Sequence, residues 1–418
     1  MAGLSDQEIE LIAQHIVAGL ADRGPAEVKE RPATRSMVGE LGIFDSIDEA
    51  VRAAGAAFAL YDDMGLQKRN AIIAAIRDAM REHGSALARE AYEETGLGRY
   101  EDKVIKNQLV TEKTPGPEDF QPHAITGDHG LNLTEPAPYG VIGAITPTTN
   151  PTSTIINNTI AMLAAGNAVV FNVHPNARRV SCHNVALLNK AIASAGGPRN
   201  LITCVANPTV ESAQALMKHP GIRLVVVTGG GGVVQAAMSS GKRAICAGPG
   251  NPPVVVDETA DIDKAGRDIV FGASFDNNII CADEKECIVV SSVADKLIQS
   301  MTYNGAMLVW KDQLPALEKV LFKKTHGPRK EAEIDRSLIG KNASVILRKA
   351  GLSCDDSVRL GIVEVDHDHP LLWTEQMMPI LPITRVRDAD EGSGFRRMEG
   401  SGRGARVSWR SACARWFS

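Results

Sequence analysis

Between residues 140 and 228 short apolar runs alternate with stretches whose apolar positions recur at helical spacing. The runs are 140–145, 168–173, 201–205 and 224–228, and the helical stretches between them are 155–165, 181–195 and 213–219. Strands that are apolar throughout must be covered on both faces, and strands joined by helices run parallel. This pattern favours an α/β fold of the dinucleotide-binding class over any all-α or all-β alternative. A second series of apolar runs at 252–256, 287–290, 360–365 and 378–386 predicts another α/β domain beginning near Ala247. No internal repeat is evident.

The chain of 418 residues is long enough to bury two cores of ordinary size. Its formal net charge of −5 offers no basic surface for nucleic acid or an anionic membrane. No apolar run approaches the roughly 20 residues that span a bilayer, and the N-terminus lacks a basic start with an apolar middle. A cytoplasmic protein is expected. The seven cysteines, at 182, 204, 246, 281, 287, 354 and 413, form neither a CxxC pair nor a zinc-type cluster. No structural metal is expected, and one thiol is free to be a nucleophile.

Ser5-Asp6-Gln7-Glu8 reads as a capping box opening an amphipathic helix, with Ile9, Ile12, Ile16 and Leu20 on one face. Arg23-Gly24-Pro25 ends it. A polar stretch then separates it from the rest, so residues 1–25 read as a tethered peptide with 26–40 as its linker, although an N-terminal helix docked on its own domain would read the same way. Residues 44–97 predict two or three helices, and the Pro- and Gly-rich segment 115–138 a hairpin or loop excursion. The Gly, Ser and Arg bias of residues 391–418 predicts disorder or foreign sequence, the composition that a shifted reading frame in GC-rich DNA produces.

Three segments carry chemistry. Thr228-Gly229-Gly230-Gly231-Gly232 follows an apolar strand and precedes a helix, where backbone amides can approach a phosphate closely. It is not GxGxxG, and a purely structural turn would read the same way. Phe275-Asp276-Asn277-Asn278-Ile279-Ile280-Cys281 places a thiol after two amides, which together with the cysteine's own N–H could stabilise an oxyanion. Cys287, in an apolar run, reads as core. Thr146-Pro147-Thr148-Thr149-Asn150-Pro151 must turn, because its prolines cannot pair in a sheet, and it fixes Asn150.

Together these segments resemble the aldehyde dehydrogenase superfamily over residues 41 to 388. The resemblance rests on Glu135-Pro136, Gly140-Val141-Ile142-Gly143, Asn150-Pro151, Ala164-Ala165-Gly166-Asn167-Ala168-Val169-Val170, Thr228-Gly229, Cys281 and Glu375-Gln376-Met377-Met378-Pro379-Ile380. It implies an aldehyde dehydrogenase fold: a Rossmann-like cofactor domain (41–247), an α/β catalytic domain (248–390) and a small oligomerisation hairpin within 115–138. It further implies Cys281 as nucleophile, Asn150 as oxyanion donor, and Glu375 as partner of the nicotinamide ribose. Thr146, Pro147, His174, Pro175, Thr228, Gly229, Gly230 and Gly248 would line the cofactor groove. A homo-oligomer is implied as well.

The departures narrow the resemblance. Hydrolytic members carry a glutamate that activates water where this chain has Cys246, so another acceptor, a thiol, is required. Asn172 stands in place of the superfamily's usual lysine, and His174 in place of another polar contact, which implies looser adenosine contacts in a groove that holds NAD first and coenzyme A second. Segments 171–175, 248–253 and 377–382 are similar to CoA-acylating propionaldehyde and acetaldehyde dehydrogenases of bacterial microcompartments. That branch implies oxidation of a short aldehyde, propionaldehyde first, to acyl-CoA. It also implies a shell-protein partner for residues 4–22 and residence in the microcompartment lumen. The rival readings are a hydrolytic aldehyde dehydrogenase and a shell-binding scaffold without turnover.

Overall fold

The computed structural model describes residues 41–400, with side chains as far as Gly394. The expected N-terminal peptide, its linker and the tail from 401 onward lie outside the described residues. The chain divides into two compact units, Met1–Glu94 with Lys106–Gly248, and Thr95–Ile105 with Pro249–Ser418.

The first unit opens with β1 (Ile43–Phe44), α1 (Ile47–Asp62) and α2 (Leu66–Thr95). Ser46 caps α1 by accepting from the N–H of Glu49, which ties down one of the helix's orphan donors. Next come α3 (Tyr100–Lys113) and an antiparallel hairpin of β2 (His123–Gly127) and β3 (Gly130–Thr134), exposed along both strands, inside the segment where an excursion was expected.

The alternating segment follows as β4 (Val141–Ile145), α4 (Pro151–Ala164), β5 (Ala168–Asn172), α5 (Arg178–Ser194), β6 (Ile202–Val205), α6 (Val210–Lys218), β7 (Leu224–Thr228), α7 (Gly231–Met238) and β8 (Ala244–Ala247). These strands form a six-stranded sheet in the order β1-β6-β5-β4-β7-β8, and every pair is parallel. Strands β4, β5 and β6 are buried at every position, as their apolar runs required. From β4 the chain builds outward on one side through β5 and β6, then crosses to build β7 and β8 on the other. This reversal opens a crevice at the carboxyl ends of β4 and β7, where open α/β sheets bind ligands.

In the second unit, β9 (Pro253–Val256), α8 (Ile262–Ser274), β10 (Glu286–Val290), α9 (Ser291–Tyr303) and β11 (Ala306–Val309) come first. After α10 (Leu314–Leu321) come β12 (Phe322–Lys324) and β13 (Glu333–Ile334), which pair antiparallel, then α11 (Ala343–Lys349), β14 (Leu360–Glu364), β15 (Ile380–Val386) and α12 (Ala389–Gly400). A parallel five-stranded sheet runs β11-β14-β15-β10-β9. Two apolar clusters pack against it, one containing Ile288, Val363 and Ile380, the other Cys287, Val289 and Leu381.

The structure differs from the sequence reading in two places. Residues Thr95–Ile105, expected in the first domain, belong to the second unit. The disordered tail expected from Glu391 is helical as far as Gly400. Asp388 caps α12 by accepting from the N–H of Glu391, while Glu391 reaches back to the N–H of Arg387. Gly392 is buried, and a Cβ there would meet Val255, Ile288 and Val386 at 3.3–3.4 Å, so the helix seats on the sheet through its lack of a side chain.

Candidate active site

In the first unit the residues expected to line a cofactor groove gather at the carboxyl edge of the sheet. Thr146 and Pro147 leave β4, while Thr228, Gly229 and Gly230 leave the adjacent β7. His174 and Pro175 follow β5, and Gly248 follows β8, so all eight lie at strand ends on one edge. The N–H of Gly229 is held by the carbonyl of Ala247 at 3.1 Å, which fixes the turn into α7. Added side chains at Gly230 and Gly231 would meet nothing within 4 Å, so open space lies before the first amides of that helix. The hydroxyl of Thr146 is buried with no partner among the described residues. An orphaned buried donor beside an open glycine turn, across the switch point, fits a dinucleotide. Asn172 is not part of that open space, because its amide oxygen accepts from the hydroxyl of Ser212 in the first turn of α6. His174 folds its Nδ1 onto the N–H of Asn176.

Asn150 stands at the N-cap of α4, where Pro151 at the first helical position needs no N–H partner. Its Oδ1 accepts from the ammonium of Lys106 on α3 at 2.7 Å, and its Nδ2 donates to Thr149 Oγ1 at 3.1 Å. A lysine on the oxygen settles which way the amide faces, because an ammonium has only donors. Next to it, Asn107 accepts from Thr152 at 2.8 Å and donates to the carbonyl of Gly84 at 2.9 Å, locking α3 to α4 and α2.

The second unit holds the thiol. Leaving α8, the chain passes through Asp276, Asn277 and Asn278 with φ of 46°, 57° and 62° before reaching Cys281. Three successive left-handed residues with side chains are held only where the surroundings over-determine them. Here they are. Asp276 is fully buried and accepts from the ammonium of Lys103 at 3.0 Å and from the N–H of Arg99 at 2.8 Å. The N–H of Asp276 donates to Asp102, which also takes a 2.8 Å bond from the guanidinium of Arg359. Gly98, itself at φ 73°, must be glycine, since a Cβ would lie 1.9 Å from the Asp276 carboxylate.

The amides of Asn277 and Asn278 are not free for a substrate, contrary to the sequence reading. Asn277 donates to the carbonyls of Gly98 and Gly340 and to Asn342, and Asn278 to those of Ala273 and Glu284. The carbonyls of the segments packed around the turn need donors, and these side chains satisfy them. Cys281, by contrast, is half-exposed, while Cys287 is fully buried in β10 as expected, with burial raising its pKa to about 12.

Around Cys281 the charges oppose one another. Burial raises the thiol's pKa, the Glu375 carboxylate raises it further, and the ammonium of Lys285 pulls it down. Glu375 is pushed above the usual carboxylate range by burial, and is pulled back by Lys285 and by a bond from the N–H of Gly250. Gly250 approaches so closely that a Cβ would lie 2.6 Å from the carbonyl oxygen of Cys281. Gly250 thus lies between the Glu375 carboxylate and the backbone of Cys281. Among the described residues no cluster could hold a metal ion, and no helix is long and apolar enough to cross a membrane.

The aldehyde dehydrogenase family profile matches residues 27–394. The chain belongs to the aldehyde dehydrogenase family. Within it, the acetylating acetaldehyde dehydrogenase EutE of Salmonella typhimurium is 46% identical over 392 residues, covering 93% of this chain and 81% of that protein. A propionaldehyde dehydrogenase of Rhodopseudomonas palustris, solved with bound CoA and an acylated cysteine, superposes with a TM-score of 0.81 at 45% identity, covering 86% of this chain and 81% of that one. A propionaldehyde dehydrogenase from the fucose utilisation microcompartment of Clostridium phytofermentans gives 0.81 at 45%, covering 87% and 82%. The recognition of this aldehyde dehydrogenase as one of the CoA-acylating branch, and the α/β fold expected of it, agree with these relatives.

Sequence reasoning missed Lys103, Lys106, Lys285 and Gly250. Lysines ordinarily read as solvated charge, but Lys103 on α3 and Lys285 just before β10 are 2% and 1% exposed. One signal was available for the turn itself: an Asp-Asn-Asn triplet is the residue set most tolerant of the left-handed region.

Proposed function

We propose that this chain is a CoA-acylating aldehyde dehydrogenase that oxidises a short aldehyde, propionaldehyde foremost, through a thioester on Cys281, with NAD as oxidant and coenzyme A as acyl acceptor. The observation that carries the reading is the residue at position 246. Where hydrolytic members carry a water-activating glutamate, β8 here presents a thiol whose pKa burial raises, a neutral group that cannot serve as base near pH 7.

The thiolate of Cys281 adds to the aldehyde carbon, and the oxyanion that forms is assigned to Asn150 Nδ2 and to the N–H of Cys281. Lys106 supports the first assignment by occupying the amide's oxygen, so that only its NH₂ can face the substrate. A nicotinamide dinucleotide, when bound, supplies the hydride acceptor, and Thr146, Pro147, His174, Pro175, Thr228, Gly229, Gly230 and Gly248 are the residues assigned to hold it, with Glu375 on the ribose. Loss of hydride from the adduct leaves Cys281 acylated. The thiol of coenzyme A then attacks the thioester carbonyl, forming its own C–S bond as the Cys281–S bond breaks, and the proton it loses passes to solvent or to the released thiolate. Replacing Asn150 by alanine is expected to lower kcat about 10²–10³-fold with little change in KM, as loss of one oxyanion donor does. Steady-state assays over a propanal series measure it, and an unchanged kcat would remove Asn150 from the reaction.

The assay for the whole reading follows NADH absorbance and acyl-CoA by mass spectrometry, with propanal and NAD, with and without coenzyme A. Sustained NADH formation only with coenzyme A is expected; sustained formation without it, yielding free acid, would make the enzyme hydrolytic. Comparing kcat/KM from two- to four-carbon aldehydes ranks the substrates. Residence in a microcompartment lumen belongs to the same reading, supported by the source of the Clostridium phytofermentans relative, and with it go a shell-protein contact through residues 4–22 and a homo-oligomer built on the β2–β3 hairpin.

A further inference from the structure

The ammonium of Lys285 is buried in the second unit at 1% exposure and lies 2.8 Å from both the carbonyl oxygen and the side-chain oxygen of Asn278. Its own N–H is fixed to the carbonyl of Pro252 at 2.9 Å, so backbone and side-chain ends are both anchored. Asn278 is the last of the three left-handed residues, three positions before Cys281, and Asp276, the first of them, is held by Lys103. One buried lysine thus grips each end of the turn. The two grips differ in setting. Lys103 meets a carboxylate, whereas Lys285 donates to the two neutral oxygens of Asn278; burial pulls its ammonium below the usual lysine range, and the carboxylates of Asp283 and Glu375 pull it back up.

We infer that Lys285 is a positioning residue for Cys281: it holds the turn that delivers the thiol and supplies the buried positive charge against which the thiolate forms. This rests on the assignment of Cys281 as nucleophile. Burying an ammonium costs several kcal/mol, which the two bonds to the buried oxygens of Asn278 offset only in part, since hydrogen bonds to neutral groups do not replace a counter-ion. The charged groups that act on the thiol are Lys285, Asp283 and Glu375, while Glu284 acts on the lysine. Lys285 is the cation of this set, and the carboxylates oppose it. Cys281 stays thiol further into alkaline solution than a free cysteine, and losing the cation should carry it further still.

The test is the pH dependence of Cys281 carboxamidomethylation by iodoacetamide, followed peptide by peptide in full-length protein without aldehyde or coenzyme. In Lys285→Met the midpoint should move up by about one pH unit, making alkylation at pH 8 about tenfold slower. Glu375→Gln should move it the opposite way. A folded Lys285→Met protein with the wild-type midpoint would overturn the inference, because a purely structural lysine would change the melting temperature and leave the midpoint alone. Should that variant not fold, Lys285→Met with Asn278→Gly removes the charge and places at position 278 a residue that adopts positive φ freely. The same midpoint criterion applies to it, and failure of both to fold assigns Lys285 to core stability and withdraws the inference. Failure of the nucleophile assignment reads out separately, as turnover by Cys281→Ala.

Discussion

Replacing Cys281 by alanine lowers acyl-CoA formation by at least about 10⁴-fold, because the covalent step disappears and geometry and binding alone remain. Single-turnover NADH formation falls with it, since hydride leaves only from the carbon that the thiol has attacked. The fold should survive: Cys281 is only partly buried, and the bonds that hold the left-handed turn are made by Asp276, Asn277 and Asn278. The informative partner is Cys287→Ala. Cys287 is fully buried in β10 and packs in the cluster with Val256, Val289 and Ile383, so its loss leaves a small cavity and costs stability while sparing turnover. Far-UV circular dichroism with the coupled NADH and acyl-CoA assay separates the two. Acyl-CoA production by Cys281→Ala above about a thousandth of wild type would place the nucleophile elsewhere.

Lys103→Met is expected to have the largest effect on stability. It leaves the Asp276 carboxylate, 0% exposed, without its cation, and breaking one side of a buried pair costs about 3–5 kcal/mol. For a unit of this size that corresponds to a melting temperature lower by roughly 10 °C. The N–H of Arg99 still reaches Asp276, but one neutral donor does not replace a charge. Adding Asp276→Asn should restore most of the loss, since asparagine is nearly isosteric, accepts from the same N–H and tolerates φ 46°. Differential scanning calorimetry of the two singles and the double measures the coupling. A single variant that melts within about 1 °C of wild type would mean that the pair contributes nothing net.

Much of this was legible in the sequence, and the part that was not has a common cause. Leu224–Thr228 is the strand that its apolar run indicated, and the residues expected to line the groove do fall on one sheet edge, because strand periodicity and turn chemistry are local properties. Lys103 and Lys285 were invisible for the opposite reason. Lys103 meets Asp276 across 173 positions of sequence, and Lys285 meets Asn278 seven positions away in an irregular segment that carries no periodic pattern. The amides at 277 and 278 were noticed for their chemistry, but their donors are consumed by carbonyls of the segments packed around them, at Gly98 and Ala273. Helix α12 was missed because its Gly and Ser outweighed the Asp388–Glu391 cap in a composition-based reading.

The assignment of Thr95–Ile105 to the second unit also has a consequence for biosynthesis. Lys103 leaves the ribosome 173 residues ahead of Asp276, and at ordinary elongation rates it waits roughly 10–35 s for its counter-ion. During that interval the first unit can complete its sheet, whereas the second cannot close around its thiol until nearly the whole described chain has been made. Its assembly is therefore a late, non-local event with a high loop-closure cost. A fragment expressed from Pro249 onward would carry Cys281 but not the segment that holds Asp276, and it should yield a thiol without the ordered turn that precedes it.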